Sequence, residues 1–292
     1  MIIANPIYDV IFKYLMEDYQ SASTIISTII GEKVDSLVSK PQESVVESNK
    51  YGLSILRFDF IGIITNSDGV KRKVIIEMQK AQGPSDIRRF RRYLGENYSK
   101  QDFDDETPID LPIICIYFIG FPVNLPNAIV SNKKGFYDIL TNSKIAVNLP
   151  IMELLSHETY FIFIDNLDET IKSNSIFVVL DIFNQKNIVG KDCKWLIQRD
   201  DFEHIDNENL KHLMMRLHNA TMEEELLEQA KKEDDFTKDL DREFRKFQLL
   251  LENEISLKEE EKRQKEEERR QNILLLQKIE ELSKTIEALK KK

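Results

Sequence analysis

Two β-rich runs joined by a turn, Arg57 to Lys80 (RFDFIGIITNSDGVKRKVIIEMQK), constrain this chain more than any other stretch. Phe58, Phe60 and Ile61 to Ile64 are apolar, Asn66-Ser67-Asp68-Gly69 supplies turn residues, and Val74-Ile75-Ile76 resumes the apolar run. Side chains alternate along a strand, so Glu77 and Gln79 emerge on one face and Met78 on the other. Asp59 stands among aromatics in the partner strand, where an ionised carboxylate is costly unless it meets a cation or a donor. Two carboxylates on facing strands point to a divalent metal, and hard oxygen ligands point to magnesium or manganese. The other reading is that Asp59 and Glu77 are strand-end residues in solvent, or partners of nearby Arg and Lys. Spacing alone does not separate the two.

Upstream, Asn5-Pro6 has the form of a helix start, Asn as N-cap and Pro at the first helical position. Ile7, Ile11 and Tyr14 or Leu15 give the apolar stripe. Asp9 and Lys13, four apart, share a face, either as an exposed ion pair or as two groups turned toward the carboxylates. Ser21 to Ile30 reads as a second helix closed by Gly31, and residues 34–49 are polar and undecided.

Ala81 to Pro84 breaks the strand, and Ser85 can cap a helix carrying Arg88, Arg89, Arg91 and Arg92. Phe90, Tyr93 or Leu94, and Asn97 or Tyr98 recur at helical spacing and should pack inward. Arg88 and Arg92 share a face, as do Arg89 and Arg92; this is either a phosphate-binding face or an ordinary solvated one. Asp102 to Asp110 reads as an acidic loop. Leu111 to Phe121 is almost wholly apolar and fits a central strand buried on both faces, and Tyr160 to Ile164 fits another strand of the same sheet. Ser175 to Phe183 and Asn209 to Leu217 read as helices, and Trp195 as a packing anchor.

From Thr221 onward Gly and Pro vanish, and Lys258 to Gln271 is almost wholly charged. Leu275, Ile279, Leu282, Ile286 and Leu289 then alternate by four and three, with Asn272 at the preceding a position. Ile at a with Leu at d favours a parallel two-stranded coiled coil, and a buried Asn fixes its register. The alternative is an amphipathic helix folded back on the first domain.

The two cysteines, Cys115 and Cys193, argue against a disulfide scaffold and fit a reducing cytosol. The four histidines lack zinc-site spacing. No apolar run is long enough to span a membrane, and no basic-then-apolar leader opens the chain, so the expectation is a soluble cytoplasmic protein. A net charge of −10 counts against simple nucleic-acid binding, although much of the acid lies beyond Asp200.

Asn5 to Leu15 (NPIYDVIFKYL), Asp59 in its strand, Glu77-Met78-Gln79, the Arg88–Tyr98 helix and the strand from Leu111 to Phe118 follow one another in a recognisable order. In that order they resemble the PD-(D/E)XK nuclease superfamily, more narrowly its Rpn-like, transposase-associated branch. The resemblance implies that Asp59 and Glu77 are the acidic metal ligands, that the Met78 carbonyl adds an oxygen, and that Asp9 approaches the same site. Gln79 then takes the place of the superfamily's lysine, as is usual in this branch. A glutamine orients a water but supplies no positive charge, which leaves Lys13, rather than Lys80, as the cation at the site. The catalytic set is thus Asp9, Lys13, Asp59, Glu77 and Gln79, with Arg88, Arg89, Arg92 and Tyr93 on the DNA.

The expected fold is α/β: a mixed central β-sheet flanked by helices, restriction-endonuclease-like, with a C-terminal helical extension ending in a coiled coil. Residues 1–200 would form the nuclease-like domain, 201–257 a helical extension, and 258–292 a charged helix and short coiled coil. The implied activity is magnesium- or manganese-dependent DNA endonuclease linked to recombination or mobile elements, with a homodimer pairing two sites. The alternative is a catalytically inactive nuclease-fold module for interaction or DNA binding.

Overall fold

The computed structural model describes residues 1–40, 43–48, 52–57, 59–80, 86–104, 106–133, 135–146, 149–167, 175–190, 195–197 and 207–290. They divide into two compact units, Met1–Glu233 and Asp234–Lys292.

The first unit is built on a six-stranded mixed sheet. In chain order its elements include β1 (Ile2–Ala4), α1 (Asp9–Glu17), α2 (Tyr19–Ile30), β2 (Val34–Ser39), β3 (Glu43–Ser48), β4 (Gly52–Arg57), β5 (Phe60–Asn66), β6 (Lys71–Gln79) and α3 (Asp86–Ser99). There follow β7 (Asp102–Asp104), β8 (Thr107–Ile109), β9 (Ile113–Ile119), β10 (Ile129–Asn132), β11 (Phe136–Tyr137), β12 (Lys144–Ile145), α4 (Pro150–Leu154) and β13 (His157–Phe163). The unit closes with α5 (Ser175–Leu180), β14 (Ile188–Val189), β15 (Trp195–Ile197), α6 (Glu208–Ala220) and the first turns of α7 (Glu224–Lys290).

The sheet runs β10-β13-β9-β6-β5-β2. β6 is parallel to β9 and β9 to β13, while β5 is antiparallel to β6. Parallel neighbours need a crossover, and α3 provides the one between β6 and β9. β9 is therefore central, as its unbroken apolar run requires: Ile113 to Ile116 and Phe118 are all buried.

One face of the sheet packs on α1, α2 and α6, where Phe60, Val74, Ile76, Met78, Ile116 and Phe118 join Phe12, Leu15, Ile26 and Leu213 in the main core. The other face packs on α3, where Ile61, Ile75, Tyr93, Ile113 and Cys115 form a smaller core with Phe90 and Leu94. Helices cover both faces. In α1, Ile11, Phe12, Leu15 and Met16 are buried at about 1.5–3 kcal/mol each. The Asp9–Lys13 pair on the same helix contributes a few tenths. Packing, not that pair, seats α1.

Several elements differ from the sequence expectation. The helix starts at Asp9 rather than Pro6; Asn5 instead accepts from the Ile7 N–H (3.1 Å) in the preceding turn and exchanges amide hydrogen bonds with Gln185. The polar 34–49 stretch contains β2 and β3, whose pairing to β5 and β4 respectively no local pattern encodes. The first β-rich run, read from Arg57, is divided: Arg57 ends β4, which pairs with β3 in its own two-stranded sheet, and β5 starts at Phe60. The acidic loop at 102–110 contains the hairpin of β7 and β8. Asp18 caps α2 by accepting from the Ser21 N–H at 2.8 Å, and Gly31 ends that helix with φ 74°.

The first unit extends beyond residue 200 because α6 buries Leu210, Leu213, Met214 and Leu217, and Ala230 of α7 joins the same core. Trp195, on β15, also packs against it. In the second unit the residues through Lys290 are helical, and Ile273 to Leu276 and Ile279 are between 56% and 66% exposed. Leu282, Ile286 and Leu289 have side chains outside those described. Among the described residues no helix is long and apolar enough to cross a membrane.

Candidate functional site

The pairing of β5 with β6 places Phe60 opposite Ile76, so Asp59, one residue outward in the bend before β5, comes abreast of Glu77. Glu77 in turn pairs with Tyr117 of the central strand. Both carboxylates thus stand at the carboxyl end of the parallel strands, where open α/β sheets characteristically place their ligands. Glu77 is only 2% exposed. Met78, on the other face, is buried in the main core, and its backbone N–H donates to Asp59 Oδ2 at 2.5 Å.

The lead-in to α1 and its first turns reach the same place. Ile7 lies so close to the chain after β9 that a side chain at Gly120 would meet it at 2.9 Å. The Gly120 N–H donates to the Gln79 carbonyl at 2.8 Å, holding the ends of β6 and β9 together. Lys13 Nζ donates to Asp9 Oδ2 at 2.7 Å, while Asp9 Oδ1 is buried with no hydrogen-bond partner among the described residues.

The electrostatics of Asp59 tie these groups into one site. Burial pushes its carboxyl well above the usual carboxylate range, and the Glu77 and Asp9 carboxylates add to that; the Met78 N–H and the Lys13 ammonium act in the opposite sense. Asp9, Lys13, Asp59 and Glu77, separated by up to 68 positions in the sequence, are therefore electrostatic neighbours. Asp9 and Lys13 pair with each other, and the charge of each also acts on Asp59.

The donor set is wholly oxygen, which suits magnesium or manganese. Among the described residues, however, no three His, Cys, Asp or Glu side chains stand close enough together to hold a metal ion. The fit is thus to two carboxylates, Asp59 and Glu77, supplemented by a backbone oxygen. Gln79, the last residue of β6, is half-buried beside them.

The helix proposed from sequence for DNA contact divides. Arg92 is exposed, as is Arg91. Tyr93 is only 6% exposed and packs in the smaller core, so it seats α3 on the sheet instead of lining an outer surface. Hydrophobic spacing governs that ring. Arg88 and Arg89 lie on the helix with side chains outside those described.

Two residues at the site were not foreseen together. Lys80 pairs with Glu233 and stands 4.0 Å from the centroid of the Tyr8 ring. Glu233 also accepts from the Asp9 N–H through both oxygens, at 3.1 and 2.9 Å. No sequence signal links Glu233 to a site 224 positions away.

No family model matches the chain, and neither a curated protein nor a solved structure matches it.

Proposed function

We propose that the protein is a metal-dependent DNA endonuclease built on a restriction-endonuclease-like version of this mixed sheet, linked to recombination or mobile elements as the resemblance implies. The observation that carries the reading is Asp59: a largely buried carboxylate crowded by Glu77 and Asp9 and eased by Lys13. Carboxylates are held against one another at such cost chiefly where a cation or a reacting group joins them.

In this reading Asp59 and Glu77 hold magnesium or manganese together with the Met78 carbonyl. Bound there, the ion supplies Lewis-acid polarisation of the scissile phosphate and lowers the pKa of a water. Gln79 orients the attacking water by hydrogen bonding, and Lys13 places positive charge near the reacting phosphate. The Met78 N–H fixes the Asp59 carboxylate in place. Arg92, with Arg88 and Arg89, holds the DNA backbone through charge-assisted contacts that persist at any relevant pH. The exposed apolar residues from Ile273 to Ile279 support pairing of two chains through a C-terminal coiled coil, so that two sites serve the two strands of a duplex.

The second reading, an inactive nuclease-fold module, is favoured by one observation: the absence, among the described residues, of a three-side-chain metal cluster. Gln79 in place of the resembled lysine points the same way. The test is cleavage of supercoiled plasmid with magnesium or manganese, beside Glu77→Ala and an EDTA control. Metal-dependent nicking, lost in the variant, is the expected result. A folded wild-type protein that cuts with neither metal favours the module.

A further inference from the structure

The first ten residues of α7, 224–233, belong to the first unit, and the last of them reaches the site. Helix α1 begins without a side-chain cap of its own: its N-cap residue, Tyr8, makes no capping hydrogen bond. Uncapped N–H groups at a helix start need an acceptor, and a negative charge there also meets the positive end of the helix dipole. Glu233 supplies both, accepting the Asp9 N–H with its two oxygens at 3.1 and 2.9 Å. The same carboxylate pairs with Lys80, immediately beyond β6, whose ammonium lies over the Tyr8 ring.

Glu233 therefore ties the first residue of α1 to Lys80 at the end of β6, and Lys80 in turn packs on Tyr8, the residue before α1. Those are the places from which Asp9 on one side and Glu77 and Gln79 on the other are presented. Glu233 and Lys80 are each about three-quarters buried, at 24% and 22% side-chain exposure, so this ion pair is less screened than an exposed one.

We infer that Glu233 is a positioning residue of the candidate site: it fixes Asp9 at the start of α1 and keeps Lys80 engaged away from the metal ligands, leaving Lys13 as the site's cation. This rests on the metal-site reading. Glu233 touches neither metal nor phosphate in this role and acts through Asp9 and Lys80.

The test uses the full chain with Glu233→Ala and the milder Glu233→Gln, which keeps an acceptor but loses the charge. Two quantities are read: amide hydrogen exchange at Asp9 in metal-free protein, and manganese affinity by titration calorimetry. The expected result is faster exchange at Asp9 in both variants, with manganese affinity several-fold weaker in Glu233→Ala and partly retained in Glu233→Gln. A general loss of packing would instead speed exchange equally at the buried strands β6 and β9. Unchanged exchange at Asp9, or wild-type manganese affinity in both variants, overturns the positioning role while leaving the metal site standing. If the wild-type protein binds no manganese, the metal site itself fails, and this role with it.

Discussion

Lys73 and Glu77 stand four residues apart on β6, point to the same face of the sheet, and are each only 2% exposed, yet they sit in opposite electrostatic situations. Lys73 is paired with Asp102 at the start of β7 and donates to the Asn97 carbonyl of α3 at 3.5 Å. It is a buried ion with a counter-ion. Glu77, at the other end of the strand, has Asp59 as its electrostatic neighbour, another carboxylate. The first arrangement is completed by an opposite charge, whereas the second sets two carboxylates against each other, a repulsion that a cation would ease. A buried charge by itself therefore marks nothing. The sign of its neighbours separates a structural pair from a candidate site.

The largest expected effect breaks the complete end. Asp102→Ala leaves the Lys73 ammonium buried without its counter-ion and should cost about 3–5 kcal/mol, measured by denaturant unfolding. Replacing the pair by apolar residues, Lys73→Met with Asp102→Leu, should be nearly neutral. A small effect of Asp102→Ala would remove the contrast between the two ends.

At the crowded end the sign reverses. Asp59→Asn removes a charge that burial and Glu77 disfavour, so the metal-free protein should gain on the order of 1 kcal/mol, a few degrees in Tm. The same variant should lose manganese binding. The pH dependence follows from the raised carboxyl: the folded protein holds this proton more tightly than the unfolded chain does. Asp59 therefore favours folding at low pH, and that advantage is lost as pH rises from about 4 through the folded value. Tm measured against pH should show a smaller loss over this range in Asp59→Asn than in wild type.

Asp18 is the matched opposite. Burial pushes its carboxyl up, but the Ser21 hydroxyl and N–H and the neighbouring His212 outweigh this and hold it below the ordinary range. Its contribution is present above the unfolded value near 4 and is lost as pH falls through the folded one. Asp18→Ala should cost about 1 kcal/mol through the lost cap, measured by thermal unfolding. Equal pH slopes for the Asp18 and Asp59 variants would contradict the distinction.

The smallest effect concerns the same α3 face. Burial pushes the Cys115 thiol up to about 12, so it should resist iodoacetamide at pH 8 in the folded protein and react only after denaturation, as mass spectrometry would show.

Local periodicity and composition were enough to set several parts of the structure. Alternation in Val74 to Gln79 placed Met78 in the core and Glu77 on the other face, and the unbroken apolar run from Ile113 to Ile119 made β9 central. Helical spacing buried Tyr93, and that spacing overrode its assignment to a DNA-contacting surface. These outcomes depend on neighbours a few positions away, where hydrophobic pattern dominates.

Tertiary structure decided what depends on distant partners. The separation of β4 from β5 follows from their pairing with different strands, and the polar β2 and β3 exist through that same pairing. Asp9 and Lys13 pair within α1, and only the packing of that helix puts both within electrostatic reach of Asp59. Glu233 was wholly illegible, because a glutamate in a charged helix has no local pattern to distinguish it from its neighbours. Only packing of the helix start, through residues such as Ala230, brings that carboxylate to the uncapped N–H of Asp9. Local pattern selects strands, helices and their buried faces; long-range packing selects which charges meet.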